Sequence, residues 1–183
     1  MEIWDLYTRD REKTGKTMIR GEKIPDGYYR IAVHACIFND EGKMLIQQRQ
    51  STKRSWANMW DISAGGSVIA GETSQMGIVR EVFEELGIKA PLENERPRLT
   101  VSFEDGYNDI YVFKTDVKTE ELTLRPTEVQ AVKWATLDEV LKMIDDGIFI
   151  PYQKGIVEYM FFMCDNLGTH AGEGRLSSKG KQT

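Results

Sequence analysis

The stretch Gly66-Ser-Val-Ile-Ala-Gly-Glu-Thr-Ser-Gln-Met-Gly-Ile-Val-Arg-Glu-Val-Phe-Glu-Glu-Leu-Gly-Ile88 decides how this chain is read. Glu81, Glu84 and Glu85 stand at i, i+3 and i+4, so a helix places them on one face. Met76, Val79, Val82, Phe83 and Leu86 recur at helical spacing and are expected on the opposite, apolar face. Thr73 suits the N-cap and Gly87 the first position beyond the C-terminus. Three like charges on one face repel one another, and a divalent cation reverses the sign of that cost. Carboxylate oxygens on a rigid helix suit Mg²⁺ or Mn²⁺. Gly77, inside the helix, costs about 0.5–1 kcal/mol relative to Ala. It is either a tolerated defect or a place where helix and sheet pack closely.

Outward from this stretch the chain alternates strands and turns. Trp60 to Ala64 reads as a short strand delivering Gly65 and Gly66. Tyr29 to Phe38 alternates with Ile31, Val33, Ala35 and Ile37 inside, and Lys43 to Arg49 returns after an Asn39–Gly42 turn. His34, on the polar side of that alternation, reads as a satisfied structural residue. Glu2–Tyr7 and Thr17–Arg20 suggest a hairpin around a turn containing Gly15, making residues 1–28 an extension that leads into the main sheet. Beyond the helix, Arg98–Glu104 and Asn108–Lys114 read as a strand pair and Glu128–Ala135 as a further strand. Leu137–Asp146 and about Tyr152–Asp165 read as helices. The expected main domain is 29–167, followed by a polar tail over 168–183 with the composition of disorder.

The chain has 183 residues, enough for one domain with a sizeable core. A net charge of -5 argues against binding a nucleic-acid polymer through a basic surface. Cys36 and Cys164 match no metal spacing; a reducing, cytoplasmic setting fits them best, with a single disulfide as the alternative. The N-terminal Met-Glu-Ile-Trp-Asp has neither the basic nor the apolar region of a signal peptide. The longest apolar run, Tyr159–Cys164, is too short to span a membrane.

Gly66, Glu72, Arg80, Glu81, Val82, Glu84, Glu85, Gly87 and Ile88 fill every specified place of G-x5-E-x7-R-E-U-x-E-E-x-G-U, with U bulky and aliphatic. A chance match in a chain of this length has a probability on the order of 10⁻⁷. The stretch resembles the Nudix box, and the likeness extends over about residues 29–146. It implies an α/β/α sandwich with a central mixed sheet, and hydrolysis of a diphosphate linked to another moiety, in a nucleoside diphosphate derivative or other small diphosphate. The resemblance makes Glu81, Glu84 and Glu85 metal ligands and adds the carbonyl of Gly65. It makes Glu72 and Arg80 a structural pair, and Gly66 and Gly87 conformational elements of the motif.

By the same resemblance the strand ending at Arg49 runs close to the box. Arg49, Lys53, Arg54 and Trp56 are therefore expected to form one wall of a substrate site. A carboxylate outside the box is expected to complete it as further ligand or general base. Glu104, Asp105, Asp109, Glu120, Glu121 and Glu128 are the candidates, and Glu128 is preferred because a strand start holds it. The N-terminal hairpin could serve as a homodimer contact. Lys43 to Gly66 also resembles isopentenyl-diphosphate isomerases, but Asp61 to Ser67 contains neither the Cys nor the His those enzymes use. A diphosphate-binding domain without catalysis is the third reading, and the intact Arg-Glu-x-x-Glu-Glu core opposes it.

Overall fold

The computed structural model describes residues 2–169. Two strands, β1 (Ile3–Tyr7) and β2 (Lys13–Ile19), form a separate antiparallel sheet. The main sheet comprises β3 (Arg30–Phe38), β4 (Met44–Arg49), β5 (Trp60–Asp61), β6 (Ala64–Ser67), β7 (Leu99–Phe103), β8 (Gly106–Lys114) and β9 (Val129–Ala135). Its path runs β5-β4-β3-β8-β7, with β6 alongside β3 and β9 alongside β4. The β3–β8 pair is parallel and the other pairs are antiparallel, so the sheet is mixed.

Helix α1 (Ser74–Leu86) covers one face, while α2 (Leu137–Asp145) and α3 (Lys154–Phe162) cover the other. Ile31, Val33, Ala35 and Ile37 pack with Ile78, Val82 and Leu86 on the α1 side. Cys36, Phe38, Met44, Ile46 and Val112 pack with Val140, Met143, Val157 and Met160 on the other. Full burial of one such aliphatic side chain contributes about 1.5–3 kcal/mol. This is the α/β/α arrangement with a mixed sheet that the resemblance implies. Among the described residues no helix is long and apolar enough to cross a membrane.

Helix α1 begins where the Thr73 hydroxyl accepts from the Met76 amide at 3.1 Å. It ends where Gly87, at φ +73°, donates its amide to the Phe83 carbonyl at 2.9 Å. The buried stripe differs from the expected one. Gly77, Ile78, Val82, Glu85 and Leu86 face inward, whereas Met76 and Phe83 are 53% and 54% exposed. The carboxylate and apolar faces are not opposite, because Glu85 enters the gap where two halves of the sheet separate. At Gly77 an added Cβ would meet Val68 Cγ2 at 3.1 Å, so close packing explains this glycine.

Two local details also differ. Gly15 lies within β2, and the hairpin turns through Thr8–Glu12 instead. The strand expected over 60–64 is divided into β5 and β6. The tail expected over 168–183 falls, from residue 170 onward, outside the described residues, as does His170.

Candidate functional site

Strands β3 and β4 pair only at Phe38 and Met44 and then diverge. Beyond that point β3 takes β6 as its neighbour, and β4 takes β5 and β9. The gap opens into a cavity of about 760 Å³. Glu81, Glu84 and Glu85 of α1 form one wall, together with Gly65 and Gly66 of β6. Arg49 at the end of β4, Lys53 in the loop after it and Glu128 just ahead of β9 line it from the other side. The pocket-facing side of β3 supplies Arg30, Ala32 and His34 at strand period, and the hairpin contributes Glu2, Ile3 and Arg20.

Each helix carboxylate has a different environment. Glu81 takes the Arg80 Nη1 at 2.8 Å, and burial raises its pKa despite that partner. Glu84 is the most open of the three and accepts from Arg125 Nη1 at 2.7 Å. Glu85 is buried and accepts from Gln47 Nε2 at 3.0 Å and the Gly65 amide at 3.3 Å. Burial first, and the neighbouring Glu81 charge second, push its carboxyl up to about 8.

Among the described residues, no three His, Cys, Asp or Glu side chains are gathered closely enough to hold a metal ion. The physical reason is that Glu81 and Glu84 turn to arginines while their like charges repel. The donor set still fits a hard divalent cation. Glu85 has no cationic side chain bonded to it, and all three groups open on one cavity. Gly66 keeps the Glu81 carboxylate close, since a Cβ there would lie 2.2 Å from Oε1.

Arg80 joins the loop to the helix. Its Nε and Nη2 donate to Glu72 at 2.8 and 3.1 Å, and Nη2 also reaches the Ser67 carbonyl at 3.0 Å. Burial opposes the Arg80 charge, but the bonds to Glu72 and Glu81 outweigh it and raise its pKa. Gly87 has a second function besides its positive φ. Its Cα faces Thr123, where a Cβ would approach the Thr123 Cβ to 2.9 Å. The Thr123 and Arg125 amides donate to the Leu86 and Glu85 carbonyls at 3.2 and 3.0 Å. The segment bearing Arg125 and Glu128 is thereby docked on the end of α1.

The wall expected from the 49–56 loop is divided. Arg49 and Lys53 line the cavity, but Arg54 and Trp56 do not. Trp56 is 48% exposed and sits at φ +53°. Arg49 Nη1 stands 3.3 Å from Asp61 Oδ2, and its Nε is buried without a hydrogen-bond partner. Lys53 pairs with Glu128.

Of the six outlying carboxylates only Glu128 lines this cavity. Asp109 is wholly buried, accepting from Arg11, Thr100 and Ser74. Asp105 sits 3.7 Å from Arg30, and Glu120 and Glu121 lie in a single 3₁₀ turn.

His34, read from sequence as structural, lies in the cavity wall. Its Nδ1 is 2.6 Å from Asn108 Oδ1, and its ring meets Tyr152 edge-on with centroids 6.4 Å apart. The ring also explains Gly65, where a Cβ would come within 2.3 Å of His34 Cδ2. Gln47, Asp61, Arg125, Arg30, Arg20 and Glu2 were not singled out as site residues by sequence reasoning. For Arg30 and His34 a signal existed, their shared parity on β3.

Comparison with known proteins agrees with this geometry. A family model for the NUDIX domain matches residues 28–153. The Nudix hydrolase lmo0368 of Listeria monocytogenes is 46% identical over 152 residues, covering 83% of this chain and 90% of that protein. An isopentenyl-diphosphate Delta-isomerase of Shigella flexneri is 27% identical, covering 66% of this chain and 69% of its own. The crystal structure of DR0079 from Deinococcus radiodurans shares the fold, with a TM-score of 0.70 and 23% identity. It covers 90% of this chain and 100% of that one. With the box complete and its carboxylates on one cavity, the chain belongs to the Nudix family and is a Nudix pyrophosphohydrolase.

Proposed function

We propose that this enzyme is Mg²⁺-dependent and cleaves the diphosphate linkage of a nucleoside diphosphate derivative or another small diphosphate, with water attacking phosphorus. The observation that carries the reading is one cavity lined by Glu81, Glu84 and Glu85 together with Arg49 and Lys53. Carboxylates for a cation stand there beside cations for phosphate oxygens. A divalent cation, Mg²⁺ or Mn²⁺, supplies charge neutralisation and orientation for in-line attack when bound.

The protein's own residues do the rest. Glu85, fixed by Gln47 and the Gly65 amide, with Glu81 and Glu84 forms the ligand set, to which the Gly65 carbonyl is assigned by family likeness. The orphaned Arg49 Nε is an unspent donor for a phosphate oxygen. Glu128 completes the site from outside the helix and takes the proton of the attacking water. Its backbone is fixed by bonds to Gln50 and Arg125 at 2.9 Å each.

Isomerisation is the less favoured reading on the same geometry. Cys36, whose thiol burial pushes upward, belongs to the core beside α3 and not to the cavity.

The test is hydrolysis of a panel of nucleotide sugars, ADP-ribose and isoprenoid diphosphates. The protein is stripped with EDTA and then titrated with Mg²⁺, and ¹⁸O-water identifies the attacked phosphorus. Stripping should abolish cleavage and Mg²⁺ should restore it. Full activity after metal removal, or no cleavage of any panel member, would overturn the reading.

A further inference from the structure

Arg30 and Arg80 both line the cavity, and their side chains are equally exposed, at 23%. Arg80 spends its donors on Glu72, Glu81 and the Ser67 carbonyl. The Arg30 guanidinium makes no hydrogen bond to any described residue. Asp105 Oδ1 stands 3.7 Å from its Nε, outside hydrogen-bonding range. Arg30 is held by that ion pair and by two aromatic rings. Its guanidinium carbon lies 5.0 Å from the Trp4 ring centroid and 4.9 Å from that of Phe103. Such faces favour the positive charge but leave the N–H groups unsatisfied. Burial works against the charged form, Asp105 favours it and nearby Arg20 opposes it. Arg30 thus lines the cavity with donors that no described residue takes and that an anion there can accept.

We propose that Arg30, with Arg20 beside it, forms an anion subsite for a second, non-reacting phosphate monoester or carboxylate of the substrate. The inference rests on the diphosphate reading above and adds a substrate class to it. Gly65 lies opposite His34 on β3, four residues from Arg30, or about 13 Å at the usual rise of a strand. Gly106 pairs with both Arg30 and Phe103, so the stacking ring keeps the guanidinium at that end. This separation is several times that of the two phosphorus atoms in a diphosphate. The group recognised therefore lies toward the Arg30 end of β3, beyond the reacting diphosphate. The planar fork of Arg matches the paired oxygens of phosphate or carboxylate. Arg20 is fixed by Glu2 at 2.7 Å, and Glu2 also accepts from Trp4 Nε1 at 2.7 Å.

The experiment is calorimetric titration of EDTA-treated protein with ligand pairs that differ in one anionic group. ADP-ribose with its 2′-phosphate derivative and dephospho-coenzyme A with coenzyme A test phosphate. UDP-glucose with UDP-glucuronate tests carboxylate. At least one pair should differ by about 10- to 100-fold in Kd, the range of a charge-assisted hydrogen bond. Arg30→Gln should reduce that ratio to within about threefold while leaving unchanged the Kd of the member that lacks the extra anionic group, and Arg30→Lys should recover part of it. Wild-type protein that discriminates in no pair would overturn the proposal, as would Arg30→Gln that retains the ratio. A variant that weakens every ligand equally and melts lower would show that Arg30 only braces the hairpin. Because binding is read without metal, these outcomes are separate from failure to hydrolyse diphosphates with Mg²⁺.

Discussion

Replacing Gly66 by Ala tests whether the position of Glu81, and not merely its presence, supports catalysis. The new Cβ would lie 2.2 Å from Glu81 Oε1, 2.4 Å from Cδ and 2.8 Å from Oε2. Ordinary non-bonded contacts need about 3.5 Å, so the carboxylate must move by about 1 Å. The end of a Glu side chain can make that move, and β6 can accept Ala because Gly66 has no positive φ. The Glu81–Arg80 bond of 2.8 Å would be weakened, a loss of about 0.5–1.5 kcal/mol. Reduced freedom of the unfolded chain offsets about 0.4–1 kcal/mol of this. Stability should therefore change by no more than about 1 kcal/mol. A misplacement of about 1 Å at a reacting site can lower the rate about 100-fold. The assay is kcat at saturating Mg²⁺ and substrate, with thermal melting of the same preparation. Unchanged kcat would refute the placement of Glu81. A large fall in Tm would show instead that β6 cannot accept the added atom.

Glu84→Gln should lower the rate by orders of magnitude at nearly constant Tm. Its bonds to Arg125 and Arg80 are partly solvent-exposed and contribute about 1 kcal/mol or less. Collapse of melting temperature together with activity would make Glu84 structural. Glu128→Gln should lower kcat at least about tenfold, about 1.4 kcal/mol of transition-state stabilisation, again with Tm little changed. An unchanged rate would remove Glu128 from the chemistry. For metal-free protein, Glu85 has a folded pKa raised above that of the unfolded chain. Its contribution is fully present below pH 4.5 and is lost as pH rises through about 8. Denaturant melts in EDTA should show that decline, and Glu85→Gln should flatten it.

The extent of α1 was legible because its signals are local. Thr73 and Gly87 cap the helix, and the box spacing places its carboxylates together. Which stripe turns inward was not local. Glu85 faces inward and Phe83 outward because the helix lies over the parting of β3 and β4. That parting depends on pairings between distant strands, so the cavity floor at Arg30 and His34 resembled an ordinary polar strand face. Arg125 and Gln47 were hidden for the same reason: each meets its carboxylate across the fold, 41 and 38 residues away in sequence. Trp56 lies outside the cavity lining because composition marks a loop without revealing its path.

The hairpin has a practical consequence for handling the protein. Glu2 and Ile3 line the cavity, and the Ile3 carbonyl accepts the Ala70 amide at 2.8 Å. An affinity tag or fusion partner joined directly ahead of Glu2 would start at the cavity wall and is expected to interfere with what binds there. Trimming by a protease as far as Ile3 would also release Arg20 and Trp4, both of which Glu2 holds. None of the residues of α3 lines the cavity, so a partner joined beyond that helix would start away from it. Kinetic constants from the two kinds of preparation should diverge, with the N-terminally extended one showing the weaker substrate binding.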